Sequence, residues 1–184
     1  ADARERDLAV TAAVSAHHLH LSEQDIGEFD TRCHVIPPLR SLTDRNGLRQ
    51  GLTDGVIEAI CSDHQPHGLD AKLAPFSESS PGIAGLETLL SLTLKLVDEG
   101  VLKLPEAVAA LTANPARILG IDTGQLSIGA RADLCVFDPN KQWQVNAEKL
   151  RSNGTNTPFD GRLLPGVVHW TLISGEVVFA HDEG

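Results

Sequence analysis

The segment Ala59-Ile60-Cys61-Ser62-Asp63-His64-Gln65-Pro66-His67 ends a short apolar run, 56–61, on an acid and two histidines. A run of that length predicts a buried strand, with the polar cluster at its carboxyl end. In barrels that alternate strands and helices, catalytic groups collect at that end. The Asp63 carboxylate suits metal binding or proton transfer, and the rings of His64 and His67 suit the same tasks or the holding of a substrate anion. The plainer alternative is a strand-ending turn with a helix cap, because Asp before a Pro-containing turn is common.

Upstream, Ser41-Leu42-Thr43-Asp44 has the form of a helix start, Leu48 and Leu52 are spaced for one helix face, and Gly55 ends the helix. Before it, Pro37-Pro38 stops any helix and Ser22-Glu23-Gln24-Asp25 predicts a further helix start. Leu8-Ala9-Val10-Thr11-Ala12-Ala13-Val14 predicts a strand, and residues 1–8 read as the tail of a helix running into it. Strand, helix, strand is the order of a parallel α/β sheet. A helix tail with no partner strand before it suggests a chain that starts mid-domain.

Downstream, residues 64–84 form a long loop with Pro66, Gly68, Pro75, Pro81 and Gly82, of the kind that is often functional beside a strand end. Apolar helices are predicted over 86–97, from Pro105 to residue 111, and over 115–119, where Gly120 stops the helix. From Gly124 the texture changes to short strand-like runs split by Gly, Pro, Asn and Asp, and Ser174-Gly175 reads as a tight hairpin. The expected division is an α/β part over 1–122 and an all-β part over 123–184.

The 184 residues are 41% hydrophobic but only 4% aromatic, so aliphatic side chains must fill the core. A formal net charge of −10 argues against nucleic acid or an anionic membrane as partner. No apolar run approaches the roughly 18 residues of a membrane span. Cys33, Cys61 and Cys135 are odd in number, far apart and without a CxxC pair, which predicts a reducing, cytoplasmic setting. Cys61 and Cys135 lie in apolar runs and read as core residues. The charged amino terminus is no signal peptide, and the absence of Met fits a processed product or a segment of a longer protein.

Other polar groups compete for a role. His17, His18 and His20 invite a metal reading, since His18 and His20 share a face in an extended segment, against a reading in which they line a rim or bond backbone carbonyls. Arg40 suits a substrate carboxylate or a helix cap. Asp133 reads as a turn residue at a strand start, and Glu87 as a dipole partner at a helix start.

These motifs carry a resemblance. Ser62-Asp63-His64-Gln65-Pro66-His67 resembles the Thr/Ser-Asp-His-x-Pro-His motif of class I dihydroorotases and related cyclic amidohydrolases. Pro37-Pro38-Leu39-Arg40 resembles their Asn-Pro-Pro-Leu-Arg segment, and Pro81-Gly82-Ile83-Ala84-Gly85-Leu86-Glu87 their Gly-x-x-Gly-x-Glu segment. Thr112-Ala113-Asn114-Pro115-Ala116, with Gly124, Leu126, Gly129 and Ala132-Asp133-Leu134, is similar to a tail shared across the amidohydrolase superfamily. Asn156-Thr157-Pro158-Phe159 with Gly161 is more particular to dihydroorotases.

The resemblance implies an α/β fold: the C-terminal part of a metal-dependent TIM-like (β/α)8 barrel, followed by a small β-sandwich. It implies reversible conversion of carbamoyl aspartate to dihydroorotate in pyrimidine synthesis. Asp63 would be a zinc ligand and carry the proton to the leaving nitrogen, His67 would hold the substrate, and main-chain groups at Pro81 and Gly82 would contact its ring. His18 falls in a family His-His-Leu segment beside the metal and not bound to it. One or two zinc ions are implied, with the other ligands upstream of this chain, so the chain alone should be inactive and should need its N-terminal half. Ile36 stands where the family has a substrate-binding Asn, and losing such a contact costs on the order of 1–3 kcal/mol. That substitution also fits a non-catalytic dihydroorotase-like partner of aspartate transcarbamoylase. A hydantoinase or allantoinase is a third reading, disfavoured by Asn156-Thr157-Pro158-Phe159. The expected partners are a small-molecule substrate, the missing half of the protein, and a second copy or the transcarbamoylase.

Overall fold

The computed structural model describes residues 2–181, with the side chain of residue 4 outside the described set. Residue 1 of the expected helical tail and residues 182–184 of the expected second part lie outside it as well. The helical tail is a single turn, α1 (Asp2–Glu5). Strand β1 (Ala13–Ser15) pairs in parallel with β2 (Ala59–Cys61), in the register Ala13↔Ala59, Val14↔Ile60, Ser15↔Cys61. Between them lies α2 (Leu42–Thr53), opened by a reciprocal cap in which the Ser41 hydroxyl accepts from the Asp44 amide and the Asp44 side chain accepts from the Ser41 amide. The expected strand–helix–strand unit is therefore present.

Both strands are shorter than their apolar runs. Leu8 and Val10 stay about half exposed, because residues 8–12 have no neighbouring strand among the described residues. The helix expected at Ser22 is one 3₁₀ turn (Glu23–Ile26), capped by Ser22 and Asp25 but closed at once by Gly27 at φ +52°. Three helices follow the long loop: α3 (Leu89–Asp98), α4 (Leu104–Leu111) and α5 (Ala113–Leu119), the last ended by Gly120 in the left-handed conformation.

The remainder is one antiparallel sheet of three strands in sequence order, β3 (Leu134–Gln144), β4 (Leu163–Ile173) and β5 (Glu176–Ala180). The two strand runs expected at 132–138 and 143–145 are one strand, interrupted by a bulge at Pro139, where Asp138 Oδ1 accepts from the amides of Asn140 and Lys141. Asp133 is the turn residue expected. Its Oδ1 accepts from the Ser174 amide at 2.8 Å, which ties the β4–β5 hairpin to the start of β3. No second sheet faces this one among the described residues, so a single layer is seen where a sandwich was expected.

One hydrophobic core runs through both parts. Val14, Leu19, Ile60, Leu92 and Leu96 share it with Val145, Phe159 and Leu164. Helix α3 is the joint: it packs against the turn at 16–19, α4 and β4. The Trp143 indole donates to Ser91 Oγ at 2.9 Å, and Gly166 lies so close that a Cβ there would meet Leu94 Cδ1 at 2.5 Å. Full burial of a Leu such as Leu92 or Leu96 is worth about 1.5–3 kcal/mol, so the joint is a substantial share of the stability. Cys33 is buried, but Cys61 and Cys135 are exposed, against expectation. Cys61 ends β2 on a side with no further strand among the described residues, and Cys135 lines a cleft of about 530 Å³ between α3 and the sheet.

Candidate active site

The carboxyl ends of β1 and β2 bring together the two polar runs that the sequence separates. Asp63 follows β2 in the left-handed region, φ +45°, a conformation uncommon outside glycine that turns the chain sharply as it leaves the strand. Its Oδ1 accepts from Gln65 Nε2 at 3.2 Å, and its Oδ2 lies 3.8 Å from His17 Nε2, beyond hydrogen-bond length.

His17 is 2% exposed, and its pKa is lowered to about 4. Burial is the largest cause, the neighbouring His18 adds to it, and Asp63 opposes it. The ring is neutral at pH 7. A chain of bonds orients it. The Pro37 carbonyl can only accept, so His18 Nε2 donates to it at 2.9 Å. In the neutral ring His18 Nδ1 then accepts from Ser15 Oγ, and that hydroxyl oxygen accepts from His17 Nε2 at 3.2 Å. His18 thus ties the end of β1 to the loop that carries Ile36. His20 is not in this group: its Nε2 donates to the Leu92 carbonyl of α3 at 2.8 Å.

The long loop folds back over Asp63. His64 Nδ1 accepts from the amides of Gly85 and Leu86, both at 3.2 Å, which makes His64 a structural acceptor. His67 Nε2 donates to the Pro81 carbonyl at 2.9 Å, so the two expected substrate-holding groups touch each other. The Gly82 amide donates to the His34 carbonyl at 2.8 Å and its carbonyl accepts from Asn156 Nδ2 at 2.9 Å. A carbonyl oxygen has two lone pairs, so Pro81 and Gly82 each keep one for a ligand. Gly82 has φ +132°, and a Cβ would sit 2.5 Å from Gln65 Cβ. Buried Lys72 donates from Nζ to the Ser80 carbonyl at 2.6 Å and holds the same loop from its other side.

Ile36 is 65% exposed in the loop beside His18, with a cis peptide to Pro37. Arg40 is exposed, with Asp44 at 3.9 Å, and stands on the surface and not at the cluster. Glu87 lies just before the N-cap of α3, outside its first turn, and accepts from the Ser152 amide at 3.1 Å, so it joins the loop to the C-terminal part. Lys72, Ser15 and the structural use of Asn156 were not singled out in the sequence. The partners of Asn156 lie on distant segments that no local spacing signals, whereas Ser15 bonds His17 and His18 two and three residues on and Lys72 bonds Ser80 within the same loop.

A model of the amidohydrolase family matches residues 2–178. The chain belongs to that family. Among curated members, a dihydroorotase from Syntrophus aciditrophicus is 45% identical over 181 residues, covering 98% of this chain and 42% of that protein. A protein from Pseudomonas putida named dihydroorotase-like is 46% identical over 177 residues, covering 96% of this chain and 42% of its own length. Among solved structures, the L-hydantoinase of Arthrobacter aurescens superposes with a TM-score of 0.91 at 29% identity, over 99% of this chain and 42% of that one. The chain therefore spans about two fifths of these relatives. Family membership implies the TIM-barrel superfamily fold, of which β1, β2 and the helices are a small α/β piece.

Family members are generally metal-dependent, and the donors here fit one side of such a site. Asp63 presents a partly exposed carboxylate oxygen at a strand end, next to an uncharged imidazole. Among the described residues no three His, Cys, Asp or Glu side chains converge on a metal position. A complete coordination sphere needs ligands from outside them.

Proposed function

We propose that the full-length protein is a zinc-dependent cyclic amidohydrolase of dihydroorotase type, interconverting dihydroorotate and carbamoyl aspartate in the cytoplasm. The observation that carries this reading is Asp63, held at the carboxyl end of β2 by a left-handed turn and facing neutral His17. Dihydroorotase-named relatives at 42–45% identity along nearly the whole chain support it. In this reading residues 1–122 complete a barrel with the upstream half of the protein, and 123–184 form the larger share of a small β-sandwich.

Zinc, one ion or two, would supply a Lewis acid that activates water and polarises the ring amide. Asp63 is one of its ligands and takes the proton of the attacking water. The same carboxylate would return that proton to the ring nitrogen as the C–N bond breaks, so that the leaving nitrogen ends as the neutral NH₂ of the carbamoyl group. His67 and the main-chain groups of Pro81 and Gly82 hold the substrate. Since His67 Nε2 already donates to Pro81, a substrate carboxylate takes up that donor by displacing the Pro81 carbonyl. The described residues carry too few ligands for catalysis, so in this reading they act together with the rest of a longer protein.

A second reading is a non-catalytic scaffold that assembles with aspartate transcarbamoylase. It is favoured by Ile36, which offers no hydrogen bond where the resemblance implies an Asn, and by relatives named dihydroorotase-like in two Pseudomonas species. Zinc content and dihydroorotate hydrolysis of the full-length protein separate the two readings. Stoichiometric zinc with turnover abolished in Asp63→Ala establishes the enzyme. A zinc-free, inactive protein that co-elutes with the transcarbamoylase establishes the scaffold, and undiminished turnover in Asp63→Ala refutes the role given to that residue.

A further inference from the structure

We propose that Asn156 is the positioning residue of the active-site loops: it clamps the 65–67 turn to the 82–84 segment and so fixes where His67 and Pro81 meet the substrate. The proposal rests on the amidohydrolase reading above and adds a residue from the C-terminal part to the site. Asn156 is 4% exposed. Its Oδ1 accepts from the His67 amide at 2.7 Å, and its Nδ2 donates to the carbonyls of Gln65 and Gly82, both at 2.9 Å. Its own carbonyl accepts from the Ala84 amide at 3.0 Å. One residue thus makes two bonds to each of two segments that flank Asp63, from some ninety and seventy positions away in the chain.

Chemistry fixes the identity of the side chain. Flipping the carboxamide would set its NH₂ against an N–H and its oxygen against two carbonyls, so a single orientation is allowed. Aspartate supplies no donor and would place charge against two carbonyl oxygens. Glutamine is a methylene too long for a buried site bounded by three backbones. The approach is equally close at Gly154, where a Cβ would fall 2.4 Å from the His67 amide nitrogen and 2.7 Å from the Pro66 carbonyl carbon. Phe159, 1% exposed in the shared core, anchors the segment from below.

The clamp acts on substrate holding and not on the proton transfer at Asp63, so it separates KM from kcat. In the full-length protein Asn156→Ala is expected to raise KM for dihydroorotate tenfold or more while kcat stays within threefold. Hydrogen exchange should accelerate in peptides covering 64–68 and 81–85. Gly154→Ala leaves Asn156 itself in place but pushes the His67 amide away from its Oδ1, and should raise KM in the same direction. Thr157→Val, which removes a buried acceptor of the Phe159 amide without touching either loop, is the control for lost stability. Unchanged KM and unchanged exchange in Asn156→Ala overturn the clamp. So does a Thr157→Val variant with the same melting loss and the same rise in KM. If the wild type does not turn over dihydroorotate, the enzymatic reading fails alone. Exchange then still decides the clamp, since accelerated peptides support it and unchanged ones overturn it.

Discussion

Lowering the pH should weaken this fold through His20, by an amount that the structure sets. The ring is shielded between the turn at 16–19 and α3, its Nε2–H is spent on the Leu92 carbonyl, and Arg49 lies 3.5 Å from Nδ1. Its pKa is lowered from 6.5 to about 4, chiefly by burial, with Arg49 and Lys95 adding to the shift and the Leu92 bond and Glu99 opposing it. The folded state therefore binds the proton less readily than the unfolded chain. His20's contribution is complete above pH 6.5 and is lost as the pH falls toward 4. Integrating that difference costs about 2 kcal/mol between pH 8 and pH 5. At a denaturant slope of about 3 kcal/mol/M, the urea midpoint drops by about 0.7 M. His20→Gln keeps a donor for Leu92 and cannot titrate. Urea midpoints of the full-length protein and of this variant, measured from pH 8 to pH 5, should diverge by that amount, although His17 gives both a shared acid sensitivity. If the variant loses as much as the wild type, burial of His20 is not what makes its ring resist protonation.

Ile36→Asn should improve dihydroorotate binding by ten- to a hundredfold in titrations of the full-length protein, the worth of one restored polar contact; no change would mean that position 36 does not face the substrate. His18→Ala removes the donor to the Pro37 carbonyl and the acceptor of the Ser15 hydroxyl proton, leaving Ser15 only its bond from His17, and should cost about 1–3 kcal/mol in urea unfolding, and a loss below about 0.5 kcal/mol refutes the bridge it makes. Phe159→Ala should cost about 3–5 kcal/mol and lower one common transition; two separate transitions for the α/β piece and the sheet would contradict a shared core.

What could be read in the sequence was local. The strand before Asp63, the cap at Ser41, the stop at Gly120 and the hairpin at Ser174-Gly175 each depend on neighbours a few residues away, and all are present. The Ser22 cap was equally legible, but the turn it opens ends at Gly27, so a correct signal produced a 3₁₀ turn and not a helix. Cys61 and Cys135 show the limit of apolar runs: a run predicts burial only if another layer covers it, and here β2 and the sheet have open sides among the described residues. The site followed the same rule. The position of Asp63 at a strand end was legible. The contact of His67 with Pro81, and of both loops with Asn156, joins segments far apart in the chain and leaves no periodicity to read.

The division of labour among the site's side chains follows from where their polar atoms are committed. His18, His64 and His67 each bond main-chain groups, to Pro37, to Gly85 and Leu86, and to Pro81. Moving any of them breaks a bond to the main chain, which costs most at the buried Gly85 amide and less at Pro37 and Leu86, where water can replace the ring. Such residues suit the holding of shape. Asp63 differs: its Oδ1 has only a long bond from a side chain two residues on, and its Oδ2 faces a neutral imidazole at 3.8 Å. A carboxylate so placed can take and return a proton without breaking the backbone network around it. That contrast, more than the density of histidines, supports the proposed reading in which the acid reacts, His18 and His64 frame the site, and His67 exchanges its Pro81 bond for the substrate.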